Sequence, residues 1–248
     1  MSETRIHVPL TVLECERLDR VSSLLPKRGE SVLEIGARHG VMTELLARIF
    51  DRVTALDLTT PTFQIPGVKT TAGDVQSLGF PDDCFEYVVC TEVLEHVPDV
   101  ARAANEICRV CRSGFFISVP YRQDTRVGRT TCLHCGKANP PYGHINTFDE
   151  QKLQQLFPRA SVVSMQYVSE NRERTNSLST WLQDVAGNPY GTYDQEEPCI
   201  YCGSTLARPE TGSLLCRAAA AMGVRIYDVQ YRFNQPRATW IMALFAKA

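Results

Sequence analysis

The stretch Val32-Leu-Glu-Ile-Gly-Ala-Arg-His-Gly40 decides the fold class of this 248-residue chain. A short apolar run stops at a glycine, which predicts a buried parallel strand, and a helical pattern begins after Gly40. Glycine at such a turn lets a ligand approach the backbone without interference from a Cβ atom. It also serves tight packing of a strand against a helix, so the turn alone does not establish a ligand site.

Apolar runs of strand character alternate with helical patterns along the chain. The clearest helix has apolar residues at i, i+3, i+4, i+7 and i+11, namely Val100, Ala103, Ala104, Ile107 and Cys111. Further helices are predicted before Pro26, after Gly40 and over 147–157. Predicted strands cover residues 31–36, 53–57, 68–72, 85–90, 115–119, 161–168 and 239–245. This alternation predicts an α/β fold with a doubly wound open sheet and helices on both faces.

Composition and charge exclude several classes of protein. Hydrophobic residues make up 44% and charged residues 22%, which is typical of a globular chain and excludes a disordered one. The net charge of −2 gives no attraction to phosphate polymers and argues against a nucleic-acid partner. We find no secretory signal and no run long enough to cross a membrane, so we expect a cytoplasmic protein without a membrane partner. Its ten cysteines should then be core residues, metal ligands or catalytic groups.

Acidic residues follow the second and third predicted strands. Asp57 lies 21 positions after Gly36, where a carboxylate can accept hydrogen bonds from two ribose hydroxyls. Asp74 lies just beyond the third strand. The dinucleotide fingerprint Gly-x-Gly-x-x-Gly does not fit the glycine spacing here. The sequence therefore favours a nucleoside-type ligand other than a dinucleotide.

Several ordered segments together carry a family resemblance. They read LEIGARHG at 33–40, ALDL at 55–58, AGDV at 72–75 and FPDDCFEYVVCTEVLEHVPD at 80–99. They resemble the class I S-adenosylmethionine-dependent methyltransferases, specifically the small-molecule group that includes the quinone methyltransferases. The resemblance covers about residues 30–121, the helix after residue 147 and the last strand. It implies a seven-stranded Rossmann-like methyltransferase sheet of order 3-2-1-4-5-7-6 and S-adenosyl-L-methionine as the cofactor.

The resemblance also assigns residues to the cofactor. Gly36 and Gly40 would flank its methionine moiety, and Glu34 would orient the turn. The whole implied cofactor-binding set is Glu34, Gly36, Gly40, Asp57, Leu58, Asp74, Val75, Thr91 and Glu92. One departure is Arg38, which stands where the family often has a second glycine, and it puts the strength of cofactor binding in question.

Two histidines are candidates for a catalytic base. Methyl transfer to a hydroxyl requires in-line alignment and a group that accepts the hydroxyl proton, and imidazole suits this role near neutral pH. His96 follows the fourth strand and could instead cap a helix or contact the cofactor. His144 precedes the helix at 147–157 and could instead be a zinc ligand or a loop residue.

Two Cys-x-x-Cys-Gly motifs predict a structural zinc site. They contribute the four thiols of Cys132, Cys135, Cys199 and Cys202. Two such pairs complete a tetrahedral zinc shell, and the closed shell leaves no catalytic position. The alternatives are a redox dithiol or packing cysteines. We expect the insertions 122–146 and 187–212 to meet as a zinc-binding lid on a single methyltransferase domain, residues 1–248. We expect the remaining cysteines to be small buried side chains.

The acceptor is predicted only as a class. Residues 170–236 offer a polar and aromatic mixture: Arg172, Arg174, Trp181, Tyr190, Tyr193 and Tyr201. This mixture favours O-methylation of a small molecule, first a sugar or glycan-type acceptor or another polar ring-bearing substrate. The alternatives are an RNA methyltransferase with a zinc module and a non-catalytic cofactor-binding scaffold. Asn139-Pro-Pro-Tyr142 spells an adenine-N6 methyltransferase motif, but it does not follow the fourth strand, and we interpret it as a proline-rich turn.

Overall fold

The computed structural model describes residues 11–210 and 212–247 and divides the chain into two compact units. The first unit contains the described residues up to Tyr121, then Phe148–Ser169 and those from Ala238 onward. The second unit contains Arg122–Thr147 and Glu170–Arg237. Both predicted insertions fall within the second unit.

A seven-stranded sheet organises the first unit. The strands of the chain are β1 (Gly29–Ile35), β2 (Phe50–Asp57), β3 (Val68–Ala72), β4 (Phe85–Thr91), β5 (Cys111–Pro120), β6 (Thr130–Thr131), β7 (Ala138–Asn139), β8 (Ala160–Asn171) and β9 (Arg237–Lys247). The sheet order is β3-β2-β1-β4-β5-β9-β8, with β1 to β5 parallel and β9 antiparallel to β5. Counting only the sheet strands, this is 3-2-1-4-5-7-6, so the predicted fold class is confirmed.

Helices account for most of the remaining regular structure. They are α1 (Val12–Leu24), α2 (Val41–Leu46), α3 (Val100–Val110), α4 (Glu150–Leu156), α5 (Ser177–Val185) and α6 (Leu214–Phe233). The first four were predicted. α4 begins at Glu150, three residues later than predicted, because the side chain of Asp149 caps it and accepts a hydrogen bond from the Lys152 amide.

The sequence pattern does not predict α5 or α6, and the packing of these helices explains why. α6 buries the small residues Ala220 and Gly223, while Leu215 and Phe233 stay about four-fifths exposed, at 82% and 79%. Its apolar side chains therefore form no stripe directed at a core. The two helices are joined by polar contacts, since the Ser179 hydroxyl donates to the Gly223 carbonyl at 2.8 Å.

The packing of the core in the first unit holds the carboxyl ends of the parallel strands in place. β1, β4 and β5 are buried almost throughout, as expected for parallel strands covered on both faces. On one face the rings of Phe115, Phe157 and Phe245 pack together at centroid distances of 4.6 to 5.1 Å. The carboxyl ends of β1 to β4 consequently lie along one rigid edge, where ligands of open α/β sheets bind.

Within residues 11–210 and 212–247, no helix has both the length and the apolar character needed to cross a bilayer.

Candidate cofactor site and metal centre

The glycine turn after β1 requires glycine at two positions. Gly36 and Gly40 have φ angles of 86° and 83°, in the left-handed region that side chains disfavour. A Cβ atom on Gly36 would lie 2.4 Å from Cγ2 of Val93. The turn is also fixed to β2, because the amides of Gly36 and Ala37 donate to the Leu56 carbonyl at 2.9 and 3.1 Å. Its backbone is therefore held in place without any ligand.

Arg38 occupies the left-handed region as a non-glycine residue. Its φ is 40°, which explains why related turns favour glycine at this position. The Arg38 amide donates to Oδ2 of Asp57 at 2.8 Å, and the Leu58 amide donates to Oδ1 at 2.7 Å. Each carboxylate oxygen can accept a second hydrogen bond, so Asp57 keeps acceptor capacity for ribose hydroxyls. Arg38 thus preserves the turn rather than disrupting it.

Glu34 is a buried acid with one unsatisfied oxygen. The residue is 1% exposed, and its Oε2 accepts a hydrogen bond from the Thr43 hydroxyl at 2.5 Å. Its Oε1 is buried and has no hydrogen-bond partner among the described residues. The pKa of Glu34 is raised to about 7, mainly by burial. The hydrogen bond from Thr43 opposes this shift, and the negative charge of Asp57 adds to it. A buried acceptor without a partner beside the turn fits a site that a hydrogen-bond-donating cofactor completes.

Asp74 and Val75 begin a tight turn after β3. The Asp74 carboxylate accepts hydrogen bonds from the backbone and side-chain amides of Gln76 at 2.8 to 3.2 Å. The Gly73 amide donates to the Asp57 carbonyl at 2.8 Å, which ties the end of β3 to the end of β2. Both predicted acids therefore stand at adjacent strand ends on the ligand edge of the sheet.

Thr91 is the last residue of β4, and Glu92, which follows it, also connects neighbouring elements. Glu92 has a left-handed φ of 55°, and its Oε2 accepts a hydrogen bond from Nε1 of Trp240 at 2.9 Å. A guanidinium nitrogen of Arg17 lies 3.4 Å from the other oxygen, and this guanidinium stacks over the Trp240 ring at 4.9 Å. Burial raises the pKa of Glu92, although Arg17 and Trp240 oppose the shift. The side chain connects α1, β4 and β9.

Sequence reasoning missed a second buried acid, Glu95. This residue is fully buried, and neither carboxylate oxygen has a hydrogen-bond partner within the described part of the chain. Burial and the neighbouring Glu92 raise its pKa well above the ordinary value. Glu95 stands in the segment Glu92-Val-Leu-Glu-His96 between two predicted site residues, and this position is the sequence signal that could have identified it.

The two candidate bases belong to different units. His96 ends a short 3₁₀ helix, Leu94–His96, in the first unit and is half-buried. His144 is buried in the second unit, with Nδ1 2.6 Å from Oε1 of Gln123 and its ring 5.7 Å from that of Tyr142. The role of either histidine as a base stays a prediction.

The four predicted zinc ligands come together in the second unit. The Sγ atoms of Cys132, Cys135, Cys199 and Cys202 all lie within 4.8 Å of one another. The closest pairs are Cys132–Cys202 at 3.7 Å and Cys135–Cys199 at 3.6 Å. A tetrahedral ion with Zn–S bonds of about 2.3 Å requires sulfur–sulfur distances of about 3.8 Å. The cluster therefore fits zinc with little rearrangement.

The two cysteine turns have the same backbone design. The Gly136 amide donates to the Cys132 carbonyl at 2.9 Å, and the Gly203 amide donates to the Cys199 carbonyl at 2.8 Å. Both glycines are left-handed, with φ of 71° and 72°. Hydrogen bonds from Ser204 lower the pKa of Cys202 to about 5, whereas the pKa of Cys135, although the Lys137 amide lowers it, is raised to about 11 by burial and the neighbouring thiols. One thiol of the cluster is therefore a thiolate at neutral pH, and another keeps a proton that a bound metal would displace. These paired turns are those of a structural four-cysteine centre.

Four of the other six cysteines follow the core prediction. Cys90 and Cys111 are buried, and Cys84 and Cys108 pack half-buried against the core of the first unit, whereas Cys216 is half-buried on α6 and belongs to no core cluster of the described residues. The expectation for Cys15 is wrong, because it is exposed on α1. Its helix buries Val21 instead, on a different face.

Comparison with known proteins identifies the family. A model described as a methyltransferase domain matches residues 11–161, more than half of the chain, and the chain belongs to that family. The resemblance to S-adenosylmethionine-dependent methyltransferases is thereby confirmed, and the family implies S-adenosyl-L-methionine as the cofactor.

Curated relatives match only part of their own length. A ubiquinone biosynthesis O-methyltransferase from Albidiferax ferrireducens is 25% identical over 44% of this chain and 48% of its own. A probable S-adenosylmethionine-dependent methyltransferase from Mycolicibacterium smegmatis is 34% identical over 43% of this chain and 44% of its own. The chain thus spans about half the length of the curated relatives it matches.

Solved structures share the fold at low identity. The YcgJ protein from Bacillus subtilis has a TM-score of 0.55 and 14% identity, covering 93% of this chain and 97% of its own. The 1,6-didemethyltoxoflavin-N1-methyltransferase from Burkholderia thailandensis has a TM-score of 0.51 and 18% identity, covering 93% of this chain and 78% of its own. Both likenesses concern the fold alone.

Proposed function

We propose that this chain is an S-adenosylmethionine-dependent methyltransferase that methylates a hydroxyl group of a small, polar, ring-bearing acceptor, of sugar or glycan type. Membership of the methyltransferase domain family supports the reaction class. The observation that carries the cofactor assignment is that Asp57 lies beside a preformed glycine turn. The backbone amides of Arg38 and Leu58 donate to the Asp57 carboxylate and hold it at the ligand edge of the sheet. The polar and aromatic composition of the second unit supports the acceptor class.

Each predicted residue has a role in this proposal. Asp57 accepts hydrogen bonds from the ribose hydroxyls, while the backbone of the Gly36–Gly40 turn borders the methionine moiety. Oε1 of Glu34 accepts a hydrogen bond from the cofactor, since none of the described residues supplies one. Leu58, Asp74 and Val75 would contact the adenine, and Thr91 and Glu92 would line the other side of the cofactor.

Catalysis would depend mainly on the alignment of the acceptor oxygen with the methyl group of the cofactor. The cofactor supplies an electrophilic methyl group when it is bound. The protein holds the acceptor oxygen in line with that group and excludes water, which can contribute several kcal/mol to lowering the barrier, roughly 7–11 in well-oriented systems. His96 or His144 accepts the hydroxyl proton, which contributes a further factor of about 10² to 10⁴. Zinc serves the folding of the second unit and takes no part in methyl transfer.

The cofactor assignment is tested by calorimetric titration with S-adenosylmethionine. The Asp57→Asn variant should bind about tenfold or more weakly, because an amide offers one acceptor oxygen in place of two. Asp51→Asn is the matched control, since Asp51 lies at the opposite end of β2 and is ion-paired with Arg28 at the surface. Equal affinities for the two variants would remove Asp57 from the cofactor site.

The activity is tested by transfer of a labelled methyl group to a panel of hydroxylated acceptors. Turnover lost in His96→Gln or His144→Gln, with cofactor affinity unchanged, identifies the base. Cofactor binding without turnover on any acceptor would favour a non-catalytic scaffold over the enzyme proposed here.

A further inference from the structure

The second unit contains a cavity that the cofactor and zinc assignments do not use. Its volume is about 660 Å³, and its walls come from α5, α6 and the loops around residues 126–129 and 188–191. Small-molecule sites typically enclose about 300–1,000 Å³. Every lining residue belongs to the second unit, so the cavity is a feature of that unit alone.

The two loops are joined so closely that the cavity wall cannot collapse or widen freely. The Thr192 amide donates to the Gly128 carbonyl at 3.0 Å. A Cβ atom on Gly191 would lie 2.0 Å from the Arg129 carbonyl oxygen. Asn188 is buried, and its Nδ2 donates to Asp184 at 2.9 Å and to the Thr131 hydroxyl at 3.0 Å. The wall is thus preformed, which reduces the entropic cost of binding.

The charges that line the cavity cancel. Arg126 makes two hydrogen bonds with the Asp124 carboxylate at 2.8 and 2.9 Å, and Arg129 is ion-paired with Asp184 at 3.0 Å. The two charged side chains that remain are Arg225 and Asp228, one of each sign. Among the described residues, neither makes a hydrogen bond or an ion pair. An anionic ligand would therefore gain no net attraction, and the cavity favours an uncharged one.

The free polar groups offer both donors and acceptors. Arg225 only donates and Asp228 only accepts, whereas the hydroxyls of Tyr190 and Tyr227 can do both. Burial and nearby acidic groups raise the pKa of Tyr227 to about 12, so its hydroxyl keeps its proton at neutral pH. A ligand hydroxyl also donates and accepts, so a ligand with several hydroxyls satisfies this mixed set best.

An exposed aromatic ring completes the site. Tyr190 is 61% exposed at the cavity wall. The face of such a ring offers flat apolar area to the C–H groups of a saturated ring, while the hydroxyls at the ring edge reach the polar wall.

We propose that this cavity binds a neutral pyranose sugar, stacked on Tyr190 and hydrogen-bonded by Arg225 and Asp228. The proposal stands independently of the proposed methyl transfer, because all residues that line the cavity belong to the second unit and binding there does not require the cofactor.

The test is saturation-transfer NMR on the full zinc-loaded chain without S-adenosylmethionine. The probes are the methyl pyranosides of glucose, galactose and mannose, with benzoate and methyl phosphate as anionic comparisons. Saturation should transfer to at least one pyranoside and to neither anion. Because binding is measured without cofactor, its failure is distinct from a failure of methyl transfer.

Three variants decide where the sugar binds. Tyr190→Ala and Asp228→Asn should each weaken the affinity for that pyranoside about tenfold. Both positions are exposed, so the variants should fold normally. Trp181→Ala is the matched control, because Trp181 is an exposed aromatic residue of α5 that does not line the cavity, and it should leave the affinity unchanged. Absence of transfer to all three pyranosides, stronger binding of benzoate, or an equal loss in Trp181→Ala would overturn the proposal.

Discussion

The side chain of Asn139 accepts a hydrogen bond from the Ile200 amide at 2.9 Å, across 61 positions of sequence. Its Nδ2 also donates to the Lys137 carbonyl at 3.0 Å, so one buried amide bridges the two cysteine turns. Asn139 begins the Asn-Pro-Pro-Tyr motif that in adenine-N6 methyltransferases serves another purpose. Here it braces a metal centre, which agrees with its interpretation as a turn.

Loss of this bridge should weaken the metal centre. Asn139→Ala leaves the Ile200 amide without its partner and should cost about 1–3 kcal/mol of stability. Asn139→Asp keeps the acceptor oxygen and loses only the donor, so it should cost less. The measurement is the rate of zinc release to a chromogenic chelator, which should rise more in Asn139→Ala. Identical rates of zinc release in both variants would show that the hydrogen bond from the Ile200 amide does not determine the stability of the metal centre.

Metal analysis tests the four-cysteine centre directly. The purified protein should contain about one equivalent of zinc, and Cys199→Ser should hold less than half of that, because three thiolates no longer close the shell. Cys216→Ser is the control, since Cys216 is half-buried and lies outside the cluster. Zinc content that does not distinguish the two variants would remove the assignment.

The buried acid Glu34 should make stability depend on pH. Its pKa is about 7 in the folded protein and about 4.5 when unfolded, so the folded state keeps a proton that the unfolded state loses between these values. The contribution of Glu34 to stability should therefore be complete below about pH 4.5 and be lost as the pH rises through 7, by about 3 kcal/mol in all.

Urea denaturation across this pH range provides the measurement. Glu34→Gln should remove the share of the fall that Glu34 causes, because the amide does not titrate, and the buried acids Glu92 and Glu95 keep theirs. Glu30→Gln, an exposed position of the same strand, should leave it in place. The interpretation fails if wild type and Glu34→Gln show the same pH profile.

The left-handed backbone at Arg38 predicts a ranking of substitutions. Arg38→Gly should be tolerated, because relief of the strain offsets the greater freedom of the unfolded chain. Arg38→Val should be less stable by about 1–2 kcal/mol, since a β-branched residue is poorly accommodated at a φ of 40°. Thermal unfolding gives the order of stability, and a Val variant as stable as the Gly variant would contradict it.

Local patterns were enough to predict the first unit. The run from Val32 to Gly40 encodes a buried strand and a turn in nine consecutive residues, and both depend on backbone conformation and burial that neighbours in sequence impose. Asp57 was found for the same reason, because it lies at the end of a strand recognisable from its own residues. The four clustered cysteines were predicted because Cys-x-x-Cys-Gly repeats at two places.

Other features depend on contacts between distant residues. The residues that α6 buries are all small, so no apolar stripe in its sequence indicates a packed helix. The position of α6 follows instead from polar contacts with Ser179 and Gln183 on α5. In the sequence, Glu95 resembles an ordinary acidic residue at the end of a helix, and only the folded structure shows that it is fully buried. Its raised pKa is a property of its surroundings.

The sequence by itself determined the family, the strand order and the identity of the cysteines that form a cluster, because short segments with fixed spacing carry that information. Only the tertiary structure decided that Asn139 bridges the cysteine turns, that Arg126 and Arg129 are neutralised by their own acids, and that a cavity opens beside them. The physical reason is that burial, charge pairing and cavity shape are set by side chains that approach each other across long separations in the chain.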